Sequence, residues 1–168
     1  AVRELRTALG RAPAQRARRA YFTIRLEVGG DGANRLKKLP NADQAYAIVP
    51  GMQDTLILTA LDDAGIYYAA QTLRQLLERT LTAGSAEIPL AEVLDWPDLE
   101  ERGEWGGSAV ADIEWMAAHK MNLVEAHSDE TVAEDGTATA DFSAETAARG
   151  RDHATNVVPI ITHLDHLL

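Results

Sequence analysis

The sequence contains no cysteine. This absence excludes disulfides, thiolate metal sites and a cysteine nucleophile together. The chain also has no apolar run near the roughly 18–20 residues that cross a bilayer, and no charged-then-apolar leader opens it. We therefore expect no membrane partner. Secreted, periplasmic and cytoplasmic locations all stay open, because a leader on a longer precursor could have been removed.

Acidic residues are scarce in the first 40 positions, basic residues are scarce in the rest of the chain, and the net charge is −10. Residues 1–40 carry ten Lys and Arg against three Asp and Glu, whereas residues 41–168 carry six against twenty-three. The basic segment around Arg16, Arg18 and Arg19 lacks the interleaved aromatics and the motifs of nucleic-acid sites. We interpret it as a solvated basic face. The acidic remainder argues against a polyanion, so we expect no nucleic-acid partner.

Hydrophobic periodicity predicts an α+β unit in the first half of the chain. Val2, Leu5 and Leu9 lie three and four residues apart, which favours a short amphipathic helix. An apolar stripe with the same spacing, from Ile66 to Leu81, predicts the longest helix, which must pack against a sheet. The predicted helices span residues 1–10 and 65–81, and the predicted strands span residues 21–28, 45–49, 55–61 and 88–96, with the second and third strands paired.

After Trp96-Pro97-Asp98 the pattern changes to alternating strands and helices. The predicted strands span residues 102–105, 122–127 and 157–161, the predicted helices span residues 110–120 and 143–154, and an acidic loop spans residues 128–142. Such alternation is typical of a parallel sheet covered by helices. Three strands cannot close an eight-stranded barrel, so we expect a sequence cut from a longer one. The predicted fold is an α+β small domain over residues 1–97, followed by the β/α start of an incomplete TIM barrel over residues 98–168.

Several segments, taken in chain order, carry a resemblance to one enzyme family. They are the predicted helix at residues 64–77, the passage from Ile88-Pro89 through Asp95-Trp96-Pro97-Asp98 to Arg102-Gly103, the stretch from Lys120 to Glu130, and the stretch from Val158-Pro159-Ile160 to His166. Together they resemble the zincin-like small domain and first barrel strands of glycoside hydrolase family 20, the β-N-acetylhexosaminidases. The ordered series spans nearly the whole chain, so it is more specific than any single segment.

The resemblance implies a substrate-binding role for Arg102. In that family the arginine of barrel strand 1 binds sugar hydroxyls, and a guanidinium offers forked donors that suit paired hydroxyls. The alternative is a salt bridge with a neighbouring carboxylate, from Glu100, Glu101 or Glu104.

Three further candidates fall at the carboxyl ends of predicted strands. His127 and Asp129 follow the second barrel strand, and His166 follows the third. Barrel enzymes place their working groups at this end of the strands. We therefore predict that these side chains bind substrate and that His127 and His166 share one sheet edge with Arg102. A purely structural role is the alternative for each.

The chain also departs from the family pattern. Asp165 stands where the family has glycine, and residues 103–107 differ from the usual sequence after the strand 1 arginine. The family's acid/base carboxylate, with the aspartate that orients the substrate acetamido group, follows barrel strand 4, which lies beyond residue 168. We therefore predict no catalytic residue within this chain, and no hydrolase activity for the chain by itself.

Two clusters of potential metal ligands lack the spacing of known sites. The first holds His153, His163, Asp165 and His166, and the second holds Asp129, Glu130, Glu134 and Asp135. The first lacks the helical His-Glu-x-x-His frame of zinc enzymes, and the second lacks the EF-hand spacing of calcium sites. We therefore predict no metal and no other cofactor.

The resemblance implies a retaining hydrolase that releases terminal β-linked N-acetylhexosamine from glycans, with the substrate's acetamido oxygen as nucleophile. One alternative is another glycosidase family with a similar small domain, such as the family 84 N-acetylglucosaminidases or the α-glucuronidases. The other is a non-catalytic carbohydrate-binding module. The expected partner is a carbohydrate. A second copy of the chain is a further candidate, because an apolar strand at residues 157–161 would leave an edge open to pairing.

Overall fold

The computed structural model describes residues 1–10, 22–82, 87–106 and 109–161, and the chain divides into two compact units, residues 1–100 and 101–168. The first unit contains helices α1 (Val2–Leu9) and α2 (Asp63–Glu78), a 3₁₀ helix (Asp31–Lys38), and strands β1 (Thr23–Val28), β2 (Tyr46–Pro50), β3 (Thr55–Ala60) and β4 (Val93–Asp95). The second unit contains strands β5 (Gly103–Trp105), β6 (Leu123–His127), β7 (Asp129–Val132), β8 (Ala138–Asp141) and β9 (Asn156–Ile160), with helices α3 (Ile113–Ala118) and α4 (Ala144–Asp152). Among these described helices, none is both long and apolar enough to span a membrane.

A four-stranded sheet in the order β1-β3-β2-β4 organises the first unit. β1 pairs parallel with β3, whereas β2 pairs antiparallel with both β3 and β4. The predicted pairing of the strands at residues 45–49 and 55–61 is therefore confirmed. The predicted strand at residues 88–96 is confirmed only near its end, since β4 is three residues long. The sheet with its packed helices confirms the α+β class of this unit.

Helix α2 packs its apolar stripe against this sheet, as predicted. Ile66, Leu73 and Leu77 are 6%, 0% and 0% exposed. The helix approaches the sheet closely at Gly65, where a methyl group would lie 2.5 Å from the carbonyl oxygen of Ala45 and 2.9 Å from Cβ of Ala60. Helix α2 therefore needs glycine at this position to approach the sheet.

Two features of the first unit differ from the prediction. Helix α2 ends at residue 78 instead of residue 81; a turn follows, in which the Thr80 amide donates to the carbonyl of Leu77 at 3.0 Å and its hydroxyl to the carbonyl of Glu87 at 2.7 Å. A 3₁₀ helix forms at residues 31–38, where the sequence predicts no element. Ala33 and Leu36 of this helix are fully buried, so it covers part of the core.

A buried hydroxyl joins α2 to the sheet. The Tyr46 hydroxyl donates to a carboxylate oxygen of Asp95 at 2.5 Å and lies 2.5 Å from the Thr72 hydroxyl. Burial and the bond to Asp95 raise the pKa of Tyr46, so this phenol stays protonated. Asp95 is one of the residues that carry the family resemblance, and the structure gives it this role in linking β4 to β2 and α2.

A parallel sheet in the order β5-β6-β9 organises the second unit, so the predicted parallel sheet is confirmed. Helix α3 connects β5 to β6, and α4 lies between β6 and β9 in the chain. Ile113 and Met116 of α3 form a core with Val124 of β6, against which Val157 of β9 packs. A methyl group at Gly150 of α4 would lie 2.4 Å from Cγ2 of the same Val157. Both helices therefore cover one face of the sheet.

The acidic segment at residues 128–142, predicted as a loop, contains a β-hairpin. β7 pairs antiparallel with β8. Asp135 accepts a hydrogen bond from the Thr137 amide at 2.9 Å, and this bond lowers the pKa of Asp135. Gly136 completes the turn with φ of 82°. The loop prediction is therefore wrong. The sequence did not indicate this hairpin because every residue of β8 is exposed, so the strand lacks the hydrophobic alternation from which strands are predicted.

Helices α3 and α4 are joined by a forked ion pair. Arg149 of α4 donates from Nε to one oxygen of Glu114 at 2.6 Å, and from Nη2 to the other oxygen. Nη1 and Nη2 also donate to the carbonyls of Val110 and Ala111, at 2.8 and 3.1 Å. The hydrogen bonds from Arg149 lower the pKa of Glu114 to about 2. This pair fixes the spacing of two helices that cover the same sheet face.

Replacing Glu114 by glutamine should lower the free energy of unfolding by up to about 1 kcal/mol at neutral pH. The magnitude is small because the Glu114 side chain is 51% exposed and water screens the pair. The stabilisation is present above the ordinary pKa of 4.5 and is lost as the pH falls from there towards 2. Thermal unfolding at neutral pH and near pH 2 tests this, with Glu134→Gln in the exposed hairpin turn as control. A Glu114→Gln deficit that is equal at both pH values would contradict it.

Candidate functional site

Two aromatic side chains lie together at the carboxyl edge of the parallel sheet. Trp105 is the last residue of β5, and His127 is the last residue of β6. Their ring centroids are 6.2 Å apart, and the ring planes are inclined by 57°. Trp105 is 64% exposed, and His127 is exposed as well. Both rings are therefore accessible at the end of the strands where β/α folds bind their ligands.

Strand alternation puts these rings on the sheet face opposite the helices. Val124 and Ala126 are buried in the core that α3 forms, so Glu125 and His127 point to the other face. Trp105 is the register partner of Glu125 and shares that face. Glu125 is half-buried. This face therefore carries an indole, an imidazole and a carboxylate near the ends of two neighbouring strands.

Ser128 fixes the end of β6 against β9. Its amide donates to the carbonyl of Ile160 at 3.1 Å. Its hydroxyl lies 3.0 Å from the same carbonyl and 3.0 Å from a carboxylate oxygen of Glu130. The hydroxyl has one proton, so it donates to one of these two acceptors at a time. Ser128 is 6% exposed. The residue after His127 is thus buried and hydrogen-bonded, which holds the strand end that carries the imidazole.

Arg102 lies at the other end of the sheet. Its guanidinium donates from Nε and Nη2 to the carbonyl of Lys120, at 3.1 and 2.8 Å. Its amide donates to the side-chain oxygen of Asn122 at 2.8 Å. Lys120 adopts a left-handed φ of 62° between α3 and β6. Arg102 therefore closes the turn that leads into β6 at its amino end.

The predicted shared edge is wrong for Arg102 and His127. The Arg102 backbone exchanges hydrogen bonds with Asn122, and His127 lies five residues further along β6. At about 3.3 Å per residue, this separates them by roughly 16 Å along the strand. The physical reason is strand direction: Arg102 lies before the first residue of β5, whereas His127 is the last residue of the parallel strand β6. Its hydrogen bonds to Lys120 indicate a positioning role.

The remaining site candidates have different outcomes. Asp129 is the first residue of β7, directly after the buried Ser128. His166 lies outside the described residues, as do His163 and Asp165 of the candidate zinc cluster and Arg16, Arg18 and Arg19 of the basic segment. Within residues 1–10, 22–82, 87–106 and 109–161, no group of three or more ligating side chains is placed to hold a metal ion.

Trp105 is the residue that sequence reasoning missed. The resemblance drew attention to Arg102, although the sequence placed a tryptophan at the predicted end of the same strand, at residue 105. Two signals were available in the sequence: the position at the predicted carboxyl end of a strand, and the glycine that follows at position 106, which has a φ of 119° in the structure. Both indicate a side chain displayed beside a turn.

A family comparison decides the affiliation of the chain. Residues 1–96 match the family model described as glycosyl hydrolase family 20, domain 2. This match covers more than half of the sequence. The chain belongs to glycoside hydrolase family 20. No curated protein sequence gives a significant match.

Solved structures show the same fold over almost the whole chain. The Streptomyces plicatus N-acetyl-β-hexosaminidase, in complex with Thio-NAglucal, has a TM-score of 0.67 at 20% identity and covers 95% of this chain and 38% of its own. A mutant of the S. plicatus enzyme is known in complex with its product GlcNAc, with a TM-score of 0.66 at 21% identity over 94% of this chain and 38% of its own. The family 20 β-N-acetylhexosaminidase of Streptomyces coelicolor has a TM-score of 0.65 at 18% identity, over 92% of this chain and 38% of its own. The family 20 chain thus spans about 38% of the length of these structures.

Proposed function

We propose that this family 20 chain is part of a retaining glycoside hydrolase that releases terminal β-linked N-acetylhexosamine from glycans. The observation that carries the proposal is the family match over residues 1–96. It is supported by the order of the segments that resemble the family, which continues through the second unit. The reaction uses the substrate's own acetamido oxygen as the nucleophile, an exception to the usual two-carboxylate scheme. No cofactor is part of the proposed reaction.

The second unit is proposed as the opening of a (β/α)₈ barrel. Strand order follows chain order in β5-β6-β9, and α3 and α4 cover the same face. A doubly wound sheet reverses its strand order and places helices on both faces, whereas a barrel does neither. Further strands would cover the edge that β9 presents. Pairing of this edge with a second copy remains the alternative prediction.

The described residues contribute binding surface to the proposed reaction. By resemblance, the acid/base carboxylate follows barrel strand 4, and no catalytic residue is assigned within this chain. His127 and Asp129 remain proposed substrate contacts beside the carboxyl edge of the sheet. For Arg102 the hydrogen bonds to Lys120 support a positioning role over a sugar contact.

An assay with chromogenic glycosides tests the proposal. The protein is expressed from its complete reading frame, including any sequence after residue 168, and compared with the 168-residue chain. We expect the complete product to hydrolyse an N-acetyl-β-glucosaminide, with the β-anomer released first. We expect the chain alone to show no turnover, because a positioned general acid typically contributes about 10²–10⁴-fold to such a reaction.

A matched set of substrates separates the alternatives. A β-glucoside without the acetamido group should not be cleaved, since it lacks the proposed nucleophile. Cleavage of an α-glucuronide instead would favour the α-glucuronidase alternative. Sugar binding by the complete product without turnover of any glycoside would favour a carbohydrate-binding module. Turnover by the 168-residue chain itself would contradict the absence of a catalytic residue.

A further inference from the structure

We propose that Trp105 and His127 form a stacking platform for one pyranose ring of the substrate. This inference rests on the proposed function, because it names a sugar contact within the same site. It assigns Trp105 as a binding residue and gives His127 a defined partner. The platform consists of these two side chains alone, at the carboxyl ends of β5 and β6.

The position of Trp105 is the first argument. A tryptophan carries one of the largest apolar surfaces of any residue. Trp105 is the last residue of β5, beside a second ring and on the sheet face opposite the helices. Its register partner in β6 is Glu125, so the pairing of the two strands holds it in place. An indole at the carboxyl end of a strand lies where β/α barrels bind their ligands.

The chemistry of the two rings selects a sugar. The face of an indole is electron-rich and attracts the weakly positive C–H groups that line one face of a pyranose. The imidazole has a donor and an acceptor nitrogen, which suit the hydroxyls on the rim of the same ring. With planes inclined by 57° and centroids 6.2 Å apart, one ring can support the sugar face while the other borders its edge.

The platform is built on fixed backbone. Arg102, next to β5, is hydrogen-bonded to Lys120 and Asn122 at the amino end of the sheet. Ser128, next to β6, is hydrogen-bonded to Ile160 at the carboxyl end. β6 is therefore anchored directly beside His127, and β5 is anchored at its amino end, which limits movement of both strands and preorganises a binding site. This also gives Arg102 a use in the site without direct sugar contact.

An internal control exists in α3. Trp115 and His119 form a second exposed pair, with ring centroids 4.2 Å apart and Trp115 56% exposed. This pair has the same chemistry but lies on a helix that covers the sheet face opposite Trp105. A response at Trp105 that is absent at Trp115 therefore reports the strand-end position and not tryptophan exposure in general.

Titration of the full chain followed by NMR tests the platform. The three tryptophans give three indole N–H signals, assigned through single Trp→Phe variants. We expect N-acetylglucosamine, added up to about 50 mM to reach millimolar dissociation constants, to shift the Trp105 and His127 signals but not those of Trp115. Trp105→Ala should weaken binding at least tenfold, which corresponds to ~1.4 kcal/mol. Trp105→Phe should retain most of the affinity, and Trp115→Ala should retain all of it.

The outcomes separate this platform from the proposed function. If no pyranose shifts the Trp105 signal, or if Trp105→Ala binds as tightly as wild type, the platform is overturned. If glucuronic acid shifts the Trp105 signal and N-acetylglucosamine does not, the platform stands and the proposed substrate fails. If the complete product hydrolyses the N-acetyl-β-glucosaminide while Trp105 stays silent, the proposed function stands and the platform fails. Unchanged Val124 methyl signals confirm that each variant is folded.

Discussion

Replacing Leu73 by alanine should lower the free energy of unfolding of the first unit by about 2–5 kcal/mol. Leu73 is 0% exposed in the middle of α2, where the helix packs on the four-stranded sheet. Truncation removes transfer free energy and leaves a cavity that close-packed neighbours fill only in part. Because a domain is typically stable by only about 5–15 kcal/mol, this single change removes a large share of that stability.

Urea unfolding followed by amide NMR measures this effect, since it resolves residues of the first unit from those of the second. The matched control is Leu90→Ala, which makes the same chemical change at a residue that is 60% exposed. We expect the control to change stability by less than about 0.5 kcal/mol. Equal effects at the two leucines would contradict the packing described for α2.

The sequence predicted those elements whose local pattern coincides with tertiary burial. Along α2, the residues with helical spacing are also the residues that face the sheet, including Ile66, Leu73 and Leu77. The same agreement holds for β6, where Val124 and Ala126 alternate with outward residues. In such segments one pattern reports both secondary structure and packing, so sequence reasoning succeeds.

The elements that the sequence did not predict owe their structure to other causes. The 3₁₀ helix has only short-range bonds of its own and is held because Ala33 and Leu36 fill part of the core. The β7-β8 hairpin depends on its turn, where Asp135 caps Thr137 and Gly136 adopts a positive φ. Neither device produces a periodic hydrophobic pattern.

The candidate site shows how strand direction decides a functional assignment. The predicted strand at residues 102–105 already puts Arg102 at its amino end, and β5 starts one residue later, at Gly103. The family resemblance nevertheless grouped Arg102 with residues at the carboxyl ends of strands. In so short a strand the amino and carboxyl ends are close in sequence, and the residue at the functional end is Trp105. The resemblance identified the family and the region of the site, whereas the strand register of the structure shows which residues lie at the carboxyl edge of the sheet.

Replacing Gly103 by alanine should separate β5 from β6 and lower the stability of the second unit by an amount at the upper end of the roughly 1–3 kcal/mol that overpacking costs. A methyl group at this position would lie 2.1 Å from the carbonyl oxygen of Leu123 and 2.6 Å from its Cβ. The backbone oxygen belongs to the neighbouring strand, so no side-chain rotation can relieve the contact. The strands must move apart.

The same substitution should disturb the site two residues further along β5. Trp105 follows Gly103 on the same face, so a displaced strand shifts the indole away from His127. We expect faster hydrogen exchange at the amides of β6 and loss of the sugar-induced shift of the Trp105 indole signal. The control is Gly32→Ala, where a methyl group would meet only ordinary contacts of 3.6 Å or more. Wild-type exchange rates in β6 of the Gly103→Ala variant would mean that this close approach does not position Trp105.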